Sequence, residues 1–242
     1  MTTDNHSLMF QKRLQLLKRQ TEYIKINTYT ENNIFYKNLV SKAKSKYGNF
    51  VSNSINKKKL YFADGPIGSG KSTLMRNFIK YKNIDNLLYY SPEIYINFCE
   101  SNSNFINSYN KSKKILWENA KKRLNTGESF IIESVFTKDE KIGFLIKAKK
   151  NGYTLFGIFV GTDTPDINVI RVNQRIKEGS YSIPEEKIYD RYFKSMKNLV
   201  RIFKLSDEML VINNSNRIPK LIAYKFNNET YITENFNEWS IL

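Results

Sequence analysis

One cysteine, Cys99, and one histidine, His6, are all that the 242 residues contain of either type. A single thiol excludes an internal disulfide, so nothing in the chain calls for an oxidising compartment. His6 has no neighbouring ligand set and is assigned no role. No run reaches the ~18 to 20 apolar residues that cross a bilayer. The opening residues, MTTDNHSLMFQKRL, lack the apolar core of a secretory signal. The expectation is a cytoplasmic protein with no membrane partner. Interleaved aromatics of the kind that stack on RNA, and zinc knuckles, are also missing.

Acidic residues are in short supply. Lys and Arg number 39 against 23 Asp and Glu, a net charge of +16. This balance favours phosphate-rich partners: nucleotides, nucleic acid or an acidic protein. Against that, Lys and Asn recur together in NSINKKK, NSYNKSKK and KAKKNG. AT-rich coding sequence yields the same pattern on solvated faces, so charge alone does not name the partner.

Residues 1–55 read as a helical arm. Phe10, Leu14, Leu17 and Ile24 fall at helical spacing, and a second stretch carries Ile34, Phe35, Leu39 and Val40. KYGNFVSNSINKKK then breaks the pattern. Residues 56–242 alternate strand and helix. The expected strands are KLYFAD, EIYINF, SFIIES, YTLFGIFVG and EMLVINNS, with KLIAYKFNNETYI as a hairpin turning near Asn227 and Asn228. Expected helices start at Lys71 and lie around NKSKKILWENAKKRL, KDEKIGFLIKAKKNG, DINVIRVNQRIKEG and PEEKIYDRYFKSMKNLVRIFKL. Strands separated by helices predict a parallel sheet covered on both faces, with its site at the carboxyl ends of the strands.

Between the first strand and its helix lies GPIGSGKST. Gly65, Gly70, Lys71 and Ser72 fit G-x-x-x-x-G-K-[ST]. Glycines let backbone N–H groups converge on phosphate with no Cβ in the way. The helix beyond offers its N-terminal N–H groups and dipole to the same anion. ATP is therefore expected on Gly65, Pro66, Gly68, Ser69, Gly70, Lys71, Ser72 and Thr73, with Lys71 on the β- and γ-phosphates and the Ser72 hydroxyl on Mg²⁺.

The guanine-reading Asn-Lys-x-Asp and switch Asp-x-x-Gly of GTPases are absent, as is the Leu-Ser-Gly-Gly of ABC ATPases. A small phosphotransferase remains, and such an enzyme needs a lid that excludes water from the γ-phosphate. NVIRVNQRIKEGSYSIPEEKIYDRYFKSMKNL supplies Arg171, Arg175 and Arg191 around a Gly-containing break. Arg171 and Arg175 share a helix face. Guanidinium groups in such a lid would clamp phosphoryl oxygens in bidentate fashion. Three arginines on amphipathic helices can also serve plain surface roles, but their place after the last long apolar strand, around the Gly-containing break, favours a lid. On the acceptor side, Glu133 ends SFIIE, open to contact with an acceptor hydroxyl or a Mg²⁺-bound water, with Ser134 beside it. INFCES places Asn97, Cys99 and Glu100 at the end of another strand. Glu100 is the carboxylate there that can take a hydroxyl proton; Cys99 is also read as a small buried apolar residue.

From about Lys59 to Trp239 the chain resembles the zeta-toxin family of P-loop kinases. The resemblance rests on GPIGSGKST, INFCES, SFIIES, IKAKKNGYTLFGIFVGT, VINNSNRIPKLIAY and above all the long lid segment. It implies a kinase-like sheet, ATP with Mg²⁺, and transfer of the γ-phosphate to a hydroxyl of a nucleotide sugar or similar metabolite. A small acidic antitoxin is the implied protein partner. The matched positions are Lys71 and Ser72 in the loop, Glu133 on the acceptor side, and Arg175 and Arg191 as clamps, with Arg171 on the nucleotide. The family reads Asn-x-Asp-Glu where this chain has Asn97-Phe98-Cys99-Glu100, so Cys99 stands at the position of the base. Val135 replaces a Thr, and Gly179-Ser180-Tyr181 replaces a Gly-Gly-His. The sequence thus predicts an α/β, P-loop kinase-like domain with an N-terminal helical arm and a C-terminal β-hairpin. Its expected activity is ATP-dependent phosphotransfer. A kinase acting on nucleic-acid ends and a non-catalytic ATP-binding protein remain as alternatives.

Overall fold

The computed structural model describes residues 58–92, 105–178, 182–226 and 229–233. The arm expected over 1–55, the strand expected at EIYINF, the lid break at 179–181 and the hairpin-turn residues Asn227 and Asn228 lie outside them. Along the described chain run β1 (Lys59–Asp64), α1 (Lys71–Lys82), β2 (Leu88–Tyr90), α2 (Phe105–Thr126) and β3 (Phe130–Glu133). They are followed by α3 (Asp139–Lys150), β4 (Thr154–Gly161), α4 (Pro165–Lys177), α5 (Glu185–Leu205), β5 (Glu208–Asn213), β6 (Lys220–Phe226) and β7 (Glu229–Ile232).

The strands form one sheet in the order β2-β3-β1-β4-β5-β6-β7. Pairings from β2 to β5 are parallel, and β6 and β7 continue antiparallel. β6 and β7 are the expected hairpin, closing with Phe226 opposite Glu229. β2 is an addition to the sequence reading. Three residues at the sheet's edge carry too little pattern to stand out from NIDNLLYYS. All four residues of β3 and five of the six in β1 are buried. Burial of consecutive residues means both faces of the sheet's centre are covered, as parallel strands require.

In the core, Phe62 pairs in register with Gly157 of β4. A Cβ on Gly157 would stand 2.5 Å from the Phe62 ring, so the glycine makes room for the aromatic. Phe62 and Trp117 both pack edge-on against Phe136, and Trp117 continues to Phe144. These rings join the sheet, α2, α3 and the segment after β3. Helix α5 buries Ile188, Tyr192, Met196, Leu199, Ile202 and Phe203, a stripe at three- and four-residue spacing. Its Tyr192 hydroxyl donates to the Thr162 carbonyl at 2.7 Å, pinning the helix to the end of β4. Burial and nearby Asp163 push that phenol up to about 12.

Candidate active site

Gly65, Gly68 and Gly70 have φ of +135°, +79° and +96°, conformations that side-chain-bearing residues rarely adopt. Neighbouring chain fills the space a side chain would need. A Cβ on Gly65 would lie 2.0 Å from the Val160 carbonyl oxygen, and one on Gly68 2.8 Å from that of Asn168. Two asparagines brace the loop. Asn168, fully buried on α4, donates to the Ile67 carbonyl at 2.6 Å. Asn214, just past β5, donates to the Ser69 carbonyl at 2.7 Å. Ser69 Oγ is buried and has no hydrogen-bond partner among the described residues. Lys71 opens α1, and its Nζ donates to the Pro66 carbonyl at 2.7 Å. Pro66 is buried, and Thr73 lies half-buried one residue beyond Ser72.

The Ser72 hydroxyl donates to Glu133 Oε1 at 2.6 Å, and the Tyr89 hydroxyl donates to Oε2. Glu133 is 6% exposed at the end of β3. Parallel pairing of β3 with β1 brings it beside the loop, with Ala63 opposite Glu133 in register. A hydroxyl and a carboxylate next to a phosphate cradle suit Mg²⁺, which takes few protein ligands and completes its shell with water and phosphate. Among the described residues, no cluster of three or more His, Cys, Asp or Glu could bind a metal by itself.

Loop, Ser72 and Glu133 open into a cavity of about 780 Å³. Among the described residues, its lining has ten Lys and Arg side chains against four carboxylates. Arg175 of α4 and Arg191 of α5 both face it, so the two helices expected to form a lid do bring their arginines to one space. Arg171 does not line it. Its Nη2 donates to the Ser215 carbonyl at 3.2 Å, and its Nη1 is buried without a hydrogen-bond partner among the described residues. Burial, then Arg175, lower its pKa. Ser134 lines the cavity and accepts a 2.7 Å hydrogen bond from Lys141 Nζ. Asn97, Cys99 and Glu100 lie outside the described residues.

No family model and no curated protein matches this chain by sequence. Solved structures do match by shape. A chain of the AvrRxo1-ORF1:AvrRxo1-ORF2 complex gives a TM-score of 0.62 at 12% identity over 76% of this chain. The same complex with ATP gives 0.61 at 12% identity over the same share. A chain of the PezAT chromosomal toxin–antitoxin system of Streptococcus pneumoniae gives 0.50 at 14% identity, covering 79% of this chain and 81% of that one. The chain thus shares the α/β fold of these chains. At these identities the likeness is one of fold. The chain also spans only 63% of the AvrRxo1 chain it matches.

Several residues at the site carry no sequence signal. Asn168 and Asn214 sit in an asparagine-rich chain, and their role depends on the loop they touch. Tyr89 belongs to the unforeseen β2. Lys141 is one lysine among several in KDEKIGFLIKAKK, yet it alone of these reaches Ser134 and the Val135 carbonyl. Its Nζ also lies 5.5 Å from the centre of the Trp117 ring.

Asp64, the last residue of β1, is fully buried. Oδ1 accepts from the N–H groups of Gly65 at 2.6 Å and Phe136 at 2.9 Å, while Oδ2 has no hydrogen-bond partner among the described residues. Burial raises its pKa to about 6, against the opposing pull of those N–H groups, Lys71 and Lys141. The folded chain therefore holds this proton more tightly than the unfolded chain. The stabilisation is complete below about pH 4 and is lost as pH rises through about 6. A carboxyl held at about 6 in place of its ordinary 3.8 makes folding about 3 kcal/mol more favourable with the proton on than with it off. Asp64→Asn cannot titrate, so the wild-type minus variant stability difference should fall by roughly that amount between pH 4 and 7.5. Urea denaturation at both pH values measures it; an unchanged difference contradicts the assignment.

Proposed function

We propose that the chain is an ATP-dependent phosphotransferase that moves the γ-phosphate to a hydroxyl of a nucleotide sugar or similar nucleotide-like metabolite. The observation that carries this reading is the Ser72–Glu133 hydrogen bond beside the glycine loop, opening into a cavity shared with Arg175 and Arg191. A phosphate switch or motor needs no such basic space for a second substrate. The AvrRxo1 complex with ATP supports the choice of nucleotide.

In this reading the backbone of the glycine loop cradles the phosphates and Lys71 neutralises the β- and γ-oxygens. Ser72 and Glu133 would hold Mg²⁺, which when bound spreads the negative charge between those phosphates. Tyr89 fixes the rotamer of Glu133 for that task. Arg175 and Arg191 stabilise charge on the moving phosphoryl group, and Arg171 holds the nucleotide through the loop carrying Ser215. Glu100, with Asn97 and Cys99 nearby, orients the acceptor hydroxyl. The loose transition state of phosphoryl transfer depends more on positioning than on a strong base. The AvrRxo1 and PezAT structures are a two-component complex and a toxin–antitoxin system, so we assign this chain the toxin role beside an acidic antitoxin.

Cys99 in place of the family carboxylate supports a second reading, an ATP-binding protein without transfer. Calorimetric titration of ATP tests what both readings share. Lys71→Ala should weaken ATP binding by about 10²-fold, and Ser72→Ala should abolish the gain that Mg²⁺ gives. ATP binding unchanged in Lys71→Ala overturns both.

A further inference from the structure

The centre of the cavity draws cations from separate parts of the chain. Lys113 comes from α2, Lys141 from α3 and Arg191 from α5, with Lys138 and Lys187 close by. A lysine-rich composition decorates outer faces; it does not make three helices converge their charges on one partly buried space. Burial first, and the neighbouring cations after it, lower the pKa of both lysines. Burial, then Arg191, brings Lys141 down to about 7. Burial, then Arg191 and Lys187, brings Lys113 down to about 8.

Carboxylates do not answer the charges of Lys141 and Arg191. Glu140 is 3.8 Å from Lys121, and Asp190 is 2.7 Å from Lys194, both on the cavity's rim. Asp64 raises the Lys141 pKa, but its Oδ1 is held by the Gly65 and Phe136 N–H groups. Among the described residues, neither Lys141 nor Arg191 is in an ion pair. The two hydrogen bonds of Lys141 go to neutral oxygens, Ser134 Oγ and the Val135 carbonyl, which aim the amine without adding a countercharge.

We propose that Lys113, Lys141 and Arg191 form a second phosphate-binding subsite, separate from the glycine loop, that takes a phosphate group carried by the acceptor. The word acceptor rests on the phosphotransferase reading; the subsite does not. The glycine loop hangs from β1 and α1, while this cluster hangs from α2, α3 and α5 on the side of Ser134 and Val135. A cavity of about 780 Å³ has room for a ligand of nucleotide size. An anion among these groups offsets their mutual repulsion and favours the charged form of Lys141. The acceptor is then recognised through a phosphate ester or diphosphate, and its unphosphorylated counterpart is refused.

Calorimetry with inorganic pyrophosphate tests this in full-length protein. Lys71→Ala should still bind one pyrophosphate. Adding Lys113→Met and Lys141→Met should weaken that binding at least about 10-fold, while Lys141→Arg in the same background keeps it. Thermal melting confirms that each variant is folded. Sulfate, whose charge is constant near neutrality, supplies a second readout. Its affinity for Lys71→Ala should fall as pH rises from 6.5 to 8.5 (about 10-fold or less) and lose much of that dependence once Lys141 is Arg. Groups facing Lys141 from the packed elements are Asp64, Lys113, Lys138 and Arg191, so Lys113 accounts for the residual slope. Pyrophosphate binding that vanishes with Lys71→Ala alone, or that survives Lys113→Met with Lys141→Met, overturns the subsite. So does a short oligonucleotide that binds Lys71→Ala more tightly than pyrophosphate through the same two lysines. Failure of the phosphotransferase reading shows separately, as ATP binding indifferent to Lys71→Ala.

Discussion

Arg191→Ala should lower phosphoryl transfer by about 10³-fold while changing ATP affinity by less than about 10-fold. The asymmetry follows from where the side chain sits. Arg191 is half-buried on α5 and faces the cavity, whereas the glycine loop and Lys71 carry ground-state binding of the nucleotide. It also lowers the pKa of Lys113 and Lys141, after burial, which places the guanidinium beside the proposed acceptor subsite, where donor and acceptor would meet. The helix that presents it is fixed by the adjacent Tyr192, whose hydroxyl donates to the Thr162 and Asp163 carbonyls at 2.7 and 3.0 Å. Arg191→Lys should recover little, because an ammonium cannot make the planar bidentate contact. Single-turnover transfer of labelled γ-phosphate, with ATP binding measured in parallel, separates the two effects. Equal losses in binding and transfer would assign Arg191 to the nucleotide alone.

Gly65→Ala should destabilise the fold by at least about 3 kcal/mol and abolish ATP binding. Two independent penalties meet at this residue. Its φ of +135° strains any side-chain-bearing residue, and its Cβ would lie 2.0 Å from the Val160 carbonyl oxygen. That oxygen belongs to β4, a strand in the middle of the sheet, so the loop must move instead. Moving it disturbs the cradle that Asn168 and Asn214 hold. Gly143→Ala is the matched control. Gly143 sits in α3, where an added methyl would meet nothing within 4 Å, and the change should stabilise by about 0.5–1 kcal/mol. Urea denaturation of both variants gives the comparison; similar effects would mean that the close approach to Val160 has no energetic consequence.

The alternation of buried strands and amphipathic helices was plain in the sequence because a parallel sheet writes its strands as apolar runs. The glycine loop was equally plain, since its chemistry is local to a few consecutive residues. Legibility failed where a role depends on distant chain. Glu133 could be placed at a strand end, but its hydrogen bond to Ser72 crosses 61 residues and needs the β3–β1 register. Asn168 reaches 101 residues back to Ile67, and Asn214 reaches 145 back to Ser69. Lys141 is indistinguishable from its neighbours until α2 and α5 close around it. Arg171 shows the opposite limit: helical spacing paired it with Arg175, yet packing turned it onto the Ser215 carbonyl and away from the cavity. Glu100, Asn97 and Cys99 lie outside the described residues, and their roles stand as proposed.

Transfer of γ-³²P from ATP by the purified protein is the most direct measurement. The acceptor panel is UDP-sugars, nucleotides, dinucleotides and an oligonucleotide with a 5′-hydroxyl, each with Lys71→Ala as the blank. The expected result is a labelled small-molecule product, made from a phosphate-bearing acceptor and absent with Lys71→Ala. ATP that binds through Lys71 yet labels no acceptor, even after Cys99→Asp, contradicts it.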